Sequence, residues 1–316
     1  MPTLGSSDLN VSTLCLGGNV FGWTADKDTS FGVLDAYADA GGNFIDTSDS
    51  YSAWVPGNTG GDSELIIGEW LAGRSNRDEI VVATKVSRHP DFLGLAAATV
   101  AGAADASLKR LGTDRIDLYF AHFDDPDTPL DETVGAFDAL VQEGKVRYVG
   151  VSNYTPERLQ EWIDIATRNG YALPVSLQPH YNLVHRTTYE SEYLPIVQRY
   201  GLGVIPYFAL AGGFLTGKYR TEADLEGKDR GATVRRYWSD AGLAVVAALD
   251  EIAKDHGVAP STVALAWLQH RPGVVAPIAS ARSVAQLPDL LAAGSLTLSG
   301  DEVALLNEVS SSVVEG

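Results

Sequence analysis

Eight times along this chain a short apolar run gives way to a longer amphipathic one, and that alternation constrains the fold more than any other feature. The short runs are Thr13–Leu16, Asn43–Asp46, Ile80–Thr84, Ile116–Phe120, Val146–Val151, Val175–Gln178, Gly203–Pro206 and Val274–Pro277. They are rich in Val, Ile and Leu with little polar alternation, the pattern of strands buried on both faces. Helical spacing is read over Ser30–Ala40, Ser63–Leu71, Ala97–Leu111, Leu130–Gln142, Thr155–Thr167, Thr188–Tyr200, Pro260–Gln269 and Ser283–Ala292. Thr155-Pro156-Glu157 is a capped helix start with proline at the first helical position. Two more helices are predicted near the C-terminus, over Asp240–Asp255 and Ser299–Val309, and Arg220–Trp238 reads as a polar loop. Strands and helices in strict alternation predict an α/β protein, a (β/α)8 TIM barrel formed as one domain over residues 1–316. An open doubly wound sheet is the competing architecture. No G-x-G-x-x-G follows the first strand to support it.

Charge narrows the partners. The formal net charge is −18, which argues against nucleic acid, whose phosphates require a basic surface, and against an anionic membrane surface. An anionic cofactor would need a local basic site against this field. A single cysteine, Cys15, rules out an intramolecular disulfide and fits a reducing compartment. The N-terminal residues lack the basic start and apolar run of a signal peptide, so the expectation is a soluble, cytoplasmic protein.

In barrels of this kind the reacting groups stand at the carboxyl ends of the strands. Here those positions hold Asp46 with Tyr51 in the following loop, then Lys85, His122, Ser152-Asn153, Gln178 and Tyr207. Four of them make chemical sense together. Delivering hydride to a carbonyl creates an alkoxide that must be protonated, and a tyrosine serves if a neighbouring cation favours its phenolate. Lys85 is that cation, Asp46 compensates its burial, and His122 donates to or orients the substrate oxygen. Singly, Asp46 reads as a turn residue, Tyr51 as a half-buried aromatic and His122 as packing; Lys85 resists this, because lysine is seldom buried unpaired. No metal is expected: His180 and His185 lack a supporting carboxylate pattern.

At these residues the chain resembles the aldo-keto reductases, and among them the bacterial branch related to potassium-channel β subunits. GGNFIDTSDSYS resembles the family's aspartate–tyrosine signature and IVVATK its lysine strand; RIDLYFAHF through VGVSNYTPERL, IGEWLAGR and IPYFALAGGFLTGKY are further matches. The resemblance implies that Asp46, Tyr51, Lys85 and His122 are the catalytic set, with Tyr51 as general acid. It also implies an extended NADPH/NADP+ across the barrel mouth, with Gly18 and Asn19 among the residues that bind it. Asp46, Ser152, Asn153 and Gln178 would meet the nicotinamide end and Tyr207 would stack on the ring, with Phe208 beside it. Leu210, Gly212, Gly213 and Lys218 would cover the pyrophosphate, joined by Arg230, Arg235 or Arg236. Ser280, Arg282 and Gln286, within PIASARSVAQL, fit the adenosine end, and Arg282 is the partner for a 2′-phosphate that favours NADPH over NADH. The chain departs from the family at Phe208-Ala209, where Ser-Pro is more familiar, at Ser280, where glycine is frequent, and at Pro288 and Leu290, where Glu and Asn often touch adenine.

Phe21, Trp23, Tyr51, Trp54 and Phe123 lie in loops after strands, where with His122 they could wall an apolar pocket for a small-molecule aldehyde or ketone, or simply pack the loops. The expected reaction is NADPH-dependent carbonyl reduction. A cofactor redox-sensing binding module with little turnover and an NADH-preferring sugar dehydrogenase are the alternatives on the same scaffold. A homo-oligomer is compatible with the channel-type resemblance, by analogy alone.

Overall fold

The computed structural model describes residues 1–315. Its sheet contains β1 (Cys15–Gly17), β2 (Phe44–Asp46), β3 (Val81–Val86), β4 (Ile116–Ala121), β5 (Val146–Ser152), β6 (Pro174–Gln178), β7 (Gly203–Val204) and β8 (Ile278–Ala279). All neighbours are parallel, in the order β8-β1-β2-β3-β4-β5-β6-β7. The two ends of the sheet approach each other. Val204 bridges Val274 in parallel, the amide of Val275 donates to Val204 O, and that of Ile278 donates to Pro206 O.

The helices are α1 (Lys27–Asp39), α2 (Asp62–Ala72), α3 (Ala97–Leu111), α4 (Leu130–Gln142), α5 (Pro156–Asn169), α6 (Leu194–Tyr200), α7 (Gly231–Arg235), α8 (Asp240–His256), α9 (Pro260–Gln269), α10 (Leu287–Leu291) and α11 (Gly300–Ser311). Their ends follow local chemistry. Asp26 and Thr155 each accept an amide proton from three residues on, at the starts of α1 and α5. Ser299 and Glu302 form a reciprocal capping box before α11. Gly112 and Gly170 end α3 and α5 in the left-handed conformation. None of these helices is long and apolar enough to cross a membrane.

Burial explains the apolar strands. Phe44, Val81, Ala83, Leu118, Phe120 and Val175 form one cluster with Cys15 and Ile205. Val82, Val86, Tyr119, Ala121, Val149 and Val151 join the larger cluster that includes the helices. Strand side chains alternate between these two layers. The same parity carries Phe44 to Asp46, Val81 and Ala83 to Lys85, and Leu118 and Phe120 to His122. Three adjacent strands thereby deliver three polar groups to one end of the inner layer.

Three expectations shift in detail. The last strand pairs with β1 only from Ile278, after Pro277, which has no amide proton to donate; the expected Val274–Pro277 segment supplies the bridge to β7 instead. The expected Thr188–Tyr200 helix begins as a π turn, Tyr189–Tyr193, and becomes regular at α6, where Pro195 has no amide to continue the ladder. The polar stretch Arg220–Trp238 contains a short 3-10 turn, Glu222–Leu225, and α7. A hairpin pairing Arg88–His89 with Phe92–Leu93 was not signalled by the sequence.

Candidate active site

A cavity of about 720 Å³ opens at the carboxyl end of the sheet. That size suits a drug- or cofactor-sized ligand. Asp46, Tyr51, His122, Ser152, Asn153, Gln178 and Tyr207 line its floor. Lys85 lies directly beneath and is fully buried.

The floor is one hydrogen-bonded unit. Lys85 Nζ donates to Asp46 Oδ2 at 2.7 Å, to the carbonyl of Thr47 at 2.6 Å and to the phenolic oxygen of Tyr51 at 3.0 Å. The three donations satisfy the ammonium completely, which is what its burial demands. Tyr51 O–H donates to Asp46 Oδ2 at 3.2 Å, and Gln178 Nε2 donates to Asp46 Oδ1 at 2.8 Å. Burial, and secondly the charge of Asp46, push the Tyr51 phenol well above its ordinary value. Lys85 favours the phenolate, as expected, but in the resting site burial and the Asp46 charge outweigh it. Tyr51 is thus held as a neutral acid whose proton can pass only to a strong base, such as an alkoxide.

Burial, then the charges of Lys85 and Arg88, hold His122 well below its ordinary value, so its ring is neutral. Its Nδ1 lies 3.3 Å from Ser48 Oγ. The rings of Tyr51 and His122 are 6.2 Å apart, leaving both facing one space.

Asn153 is already engaged: Nδ2 donates to His122 O at 2.8 Å and Ser152 Oγ at 3.0 Å, and Oδ1 accepts from Tyr207 O–H at 2.7 Å. Ser152 Oγ donates to Gln178 O at 2.8 Å. Asn153 and Phe208 both hold positive φ, 55° and 52°, conformations that non-glycine residues keep only when their surroundings impose them. Both line the cavity.

From this floor the cavity runs past Asn19, Leu210, Gly212, Gly213, Lys218, Arg230, Ser280, Arg282 and Gln286. Lys218, Lys228, Arg230 and Arg282 crowd one another. Burial and their mutual repulsion lower the ordinary values of Lys218 and Arg230, in that order of cause. Among the described residues only Asp229, 3.5 Å from Arg282, answers this charge with an ion pair. Four cations gathered on a chain of net charge −18 form the local basic site that a polyanion requires. Gly213 has φ 102°, and an added Cβ there would meet Lys218 Nζ at 3.0 Å, so the backbone must stay bare for the lysine to reach the cavity.

Trp23, Trp54 and Phe123 wall the outer end. Trp23 and Trp54 pack edge to face at 5.5 Å, Trp54 lies 6.4 Å from the Tyr51 ring, and Phe123 lies 4.8 Å from His122. Arg230 reaches to 5.9 Å from the Trp23 ring.

Some expected residues sit elsewhere. Gly18 is outside the cavity lining; its amide donates to Asp46 O, its carbonyl accepts from Ser63, and a Cβ there would strike Ser63 Oγ at 2.8 Å. Phe21 is fully buried in the core. Of the three arginines after Lys228, only Arg230 lines the cavity, while Arg235 points to Glu222 at 3.7 Å. Sequence reasoning passed over Lys228, Thr216, Ser261 and Asp289, which also line it. Lys228 was legible as one more cation within GKDR; the others carried no signal.

Known proteins resemble this chain along nearly its whole length. The model of the Aldo/keto reductase family matches residues 13–311. The chain is 35% identical to the uncharacterized oxidoreductase YrpG of Bacillus subtilis, covering 97% of this chain and 94% of that protein. It is 32% identical to a norsolorinic acid reductase of Aspergillus flavus, covering 96% of this chain and 79% of the relative. A probable voltage-gated potassium channel subunit beta of Oryza sativa subsp. japonica is 33% identical over 90% of this chain and 88% of its own length.

Proposed function

Since this chain belongs to the aldo/keto reductase family, we propose that it is an NADPH-dependent reductase that converts an aldehyde or ketone to an alcohol, with Tyr51 as the proton donor. The observation that carries this reading is the Tyr51–Lys85–Asp46 unit: a buried phenol hydrogen-bonded to an ammonium at 3.0 Å, on the floor of a cavity walled by aromatics and lined by cations. The bridge from Val204 to Val274 supports reading the curled sheet as a closed (β/α)8 barrel, the scaffold that brings these strand ends together.

The residues present suit a dinucleotide. The crowded Lys218, Lys228, Arg230 and Arg282 are the donors a pyrophosphate and a 2′-phosphate need, and Tyr207 offers a ring beside Asn153 and Gln178 for the nicotinamide. When bound, NADPH supplies the hydride. The chain's own residues do the rest. Trp23, Trp54 and Phe123 wall the apolar body of the substrate and keep water from it. Tyr51 and the neutral imidazole of His122 converge on the carbonyl oxygen and polarise it by hydrogen bonds. As negative charge develops on that oxygen, Tyr51 gives up its proton, and Lys85 Nζ at 3.0 Å stabilises the phenolate left behind. Asp46 keeps the ammonium fixed throughout.

The test follows reduced-nicotinamide absorbance with an activated aromatic aldehyde, wild type beside Tyr51→Phe. Loss of a positioned acid lowers kcat by about a hundredfold to ten-thousandfold while cofactor affinity stays unchanged. Equal turnover in both proteins sinks Tyr51 as the acid. Tight cofactor binding without turnover in either would instead favour a cofactor-sensing binding module, the reading suggested by the channel subunit beta among the relatives.

A further inference from the structure

Asp49 is a carboxylic acid sealed inside the protein, fully buried, with one oxygen, Oδ2, that has no hydrogen-bond partner among the described residues. Its other oxygen, Oδ1, lies 3.2 Å from Ser48 Oγ, and Ser48 Oγ in turn lies 3.3 Å from His122 Nδ1. The Ser48 hydroxyl thus stands between a buried acid and the ring of the histidine that faces the cavity. Ser48 and Asp49 belong to the loop that carries Tyr51, and the Asp49 amide is anchored to Lys85 O at 3.2 Å.

We propose that Asp49 is a positioning residue that selects the tautomer of His122 through the Ser48 hydroxyl. The inference rests on the reductase reading above, in which His122 donates a proton-bearing nitrogen to the carbonyl oxygen.

Counting protons fixes the direction of each bond. A serine hydroxyl has one proton to give and two lone pairs to offer. One lone pair accepts the Ser50 amide at 3.3 Å. When Asp49 is neutral, its proton belongs on Oδ1, because Oδ2 has no acceptor in reach. Oδ1–H then donates to Ser48 Oγ, and Ser48 turns its own proton to His122 Nδ1. The single proton of the neutral imidazole is left on Nε2, which makes no hydrogen bond among the described residues and is the nitrogen available to a substrate oxygen. When Asp49 ionises, one proton leaves for solvent and Ser48 must donate to the carboxylate. His122 then donates Nδ1–H to Ser48, and Nε2 presents a lone pair that repels a carbonyl oxygen. Ser50 Oγ, 3.0 Å from Ser48 Oγ, competes for the same hydroxyl in both states and does not reverse the order.

The surroundings keep the acid neutral over the useful range. Burial, then the charge of Glu64 on α2, raise Asp49 to about 8; Ser48, Arg110 on α3 and Lys85 on β3 pull the other way but do not win. Glu64 is itself paired with Arg110 at 2.6 Å and accepts from Thr84 at 2.5 Å. Tyr119 on β4, another titratable group coupled to Asp49, has a buried hydroxyl without a partner among the described residues and is pushed well above its ordinary value. Neither it nor the neutral His122 supplies a charge that would ionise Asp49.

The experiment is nitrogen NMR on protein carrying 15N-histidine, with the His122 signals assigned by their absence in His122→Gln among the six histidines. Wild type should show a pyridine-type Nδ1 and a pyrrole-type Nε2 at neutral pH, exchanging character as pH rises through about 8. Asp49→Asn, an isostere with nothing to ionise, should hold one tautomer at every pH. The fall of kcat/KM above about 8 in wild type should disappear with it. A pyrrole-type Nδ1 in wild type at neutral pH overturns the proposal, and so does a switch that survives in Asp49→Asn. The NMR readout needs no turnover. Failure of the reductase reading would therefore appear as absent carbonyl reduction, whereas failure of this inference would appear as a fixed tautomer beside normal activity.

Discussion

Replacing Lys85 by methionine removes the cation paired with Asp46 in a sealed site and keeps nearly the same volume. The ammonium is fully buried, its carboxylate partner Asp46 is 2% exposed, and they stand 2.7 Å apart. After the substitution Asp46 retains the donations from Tyr51 at 3.2 Å and Gln178 at 2.8 Å, but its charge has no counter-ion and Thr47 O has lost its donor. Breaking a buried pair from one side costs about 3–5 kcal/mol, mostly the desolvation of the charge left behind. At about 2.1 cal/mol/K of unfolding entropy per residue, a chain of 316 residues loses roughly 5–8 °C in Tm. The assay is thermal unfolding by circular dichroism, with urea unfolding for the free energy. The double variant Asp46→Asn with Lys85→Met removes the stranded charge, and most of the loss should return even though catalysis does not. A cost below about 1 kcal/mol for Lys85→Met, or a double variant no better than the single one, would refute the reasoning.

Three further outcomes follow from the same geometry. Arg282→Ala should weaken NADPH binding about tenfold and leave NADH almost unchanged, read by quenching of intrinsic fluorescence; the side chain is 47% exposed, which places it at the weak end of charge-assisted contacts. An unaltered preference would remove the 2′-phosphate role from Arg282. Trp54→Ala, at a residue 51% exposed, should raise KM for aromatic aldehydes about two- to twelvefold, the value of one aromatic contact, with Tm almost unmoved; an equal rise for small aliphatic aldehydes would contradict this. Asp49→Asn should flatten the pH dependence of stability. The raised carboxyl contributes stability in full below its unfolded value, and that contribution falls by up to about 1.4 kcal/mol per pH unit until pH passes about 8, so the variant should gain on wild type as pH rises, checked by urea unfolding at mildly acidic and neutral pH.

Local chemistry made much of this protein readable without coordinates. Strands buried on both faces must be apolar throughout, and helices must show their period, so the alternation marked the elements; α3, α4 and α9 begin and end at the expected residues. Position at the carboxyl ends of strands picked out Asp46, Lys85 and His122, which have bland readings singly but make chemical sense as a trio. The family resemblance then suggested which residues along PIASARSVAQL and the Leu210–Lys218 loop to look for, and most of them do line one cavity.

What the sequence left undetermined was decided by neighbours distant along the chain. Gly18 was expected beside the cofactor, and only the structure shows that Ser63 from α2 closes on it and that it lies outside the cavity lining. Arg230, Arg235 and Arg236 were equivalent as letters, and only the path of the turn before α7 turns the first toward the cavity. The resting state of Tyr51 was not legible because a pKa depends on burial and on every charge nearby, and here burial and Asp46 outweigh the lysine. Asp49 gave no sign at all, since a carboxylate in a polar loop is ordinarily solvated; only the packing of α2, α3 and β4 around it makes it an acid that keeps its proton. Periodicity and strand-end position are written in the order of residues, whereas protonation, orientation and access are properties of the assembled surroundings.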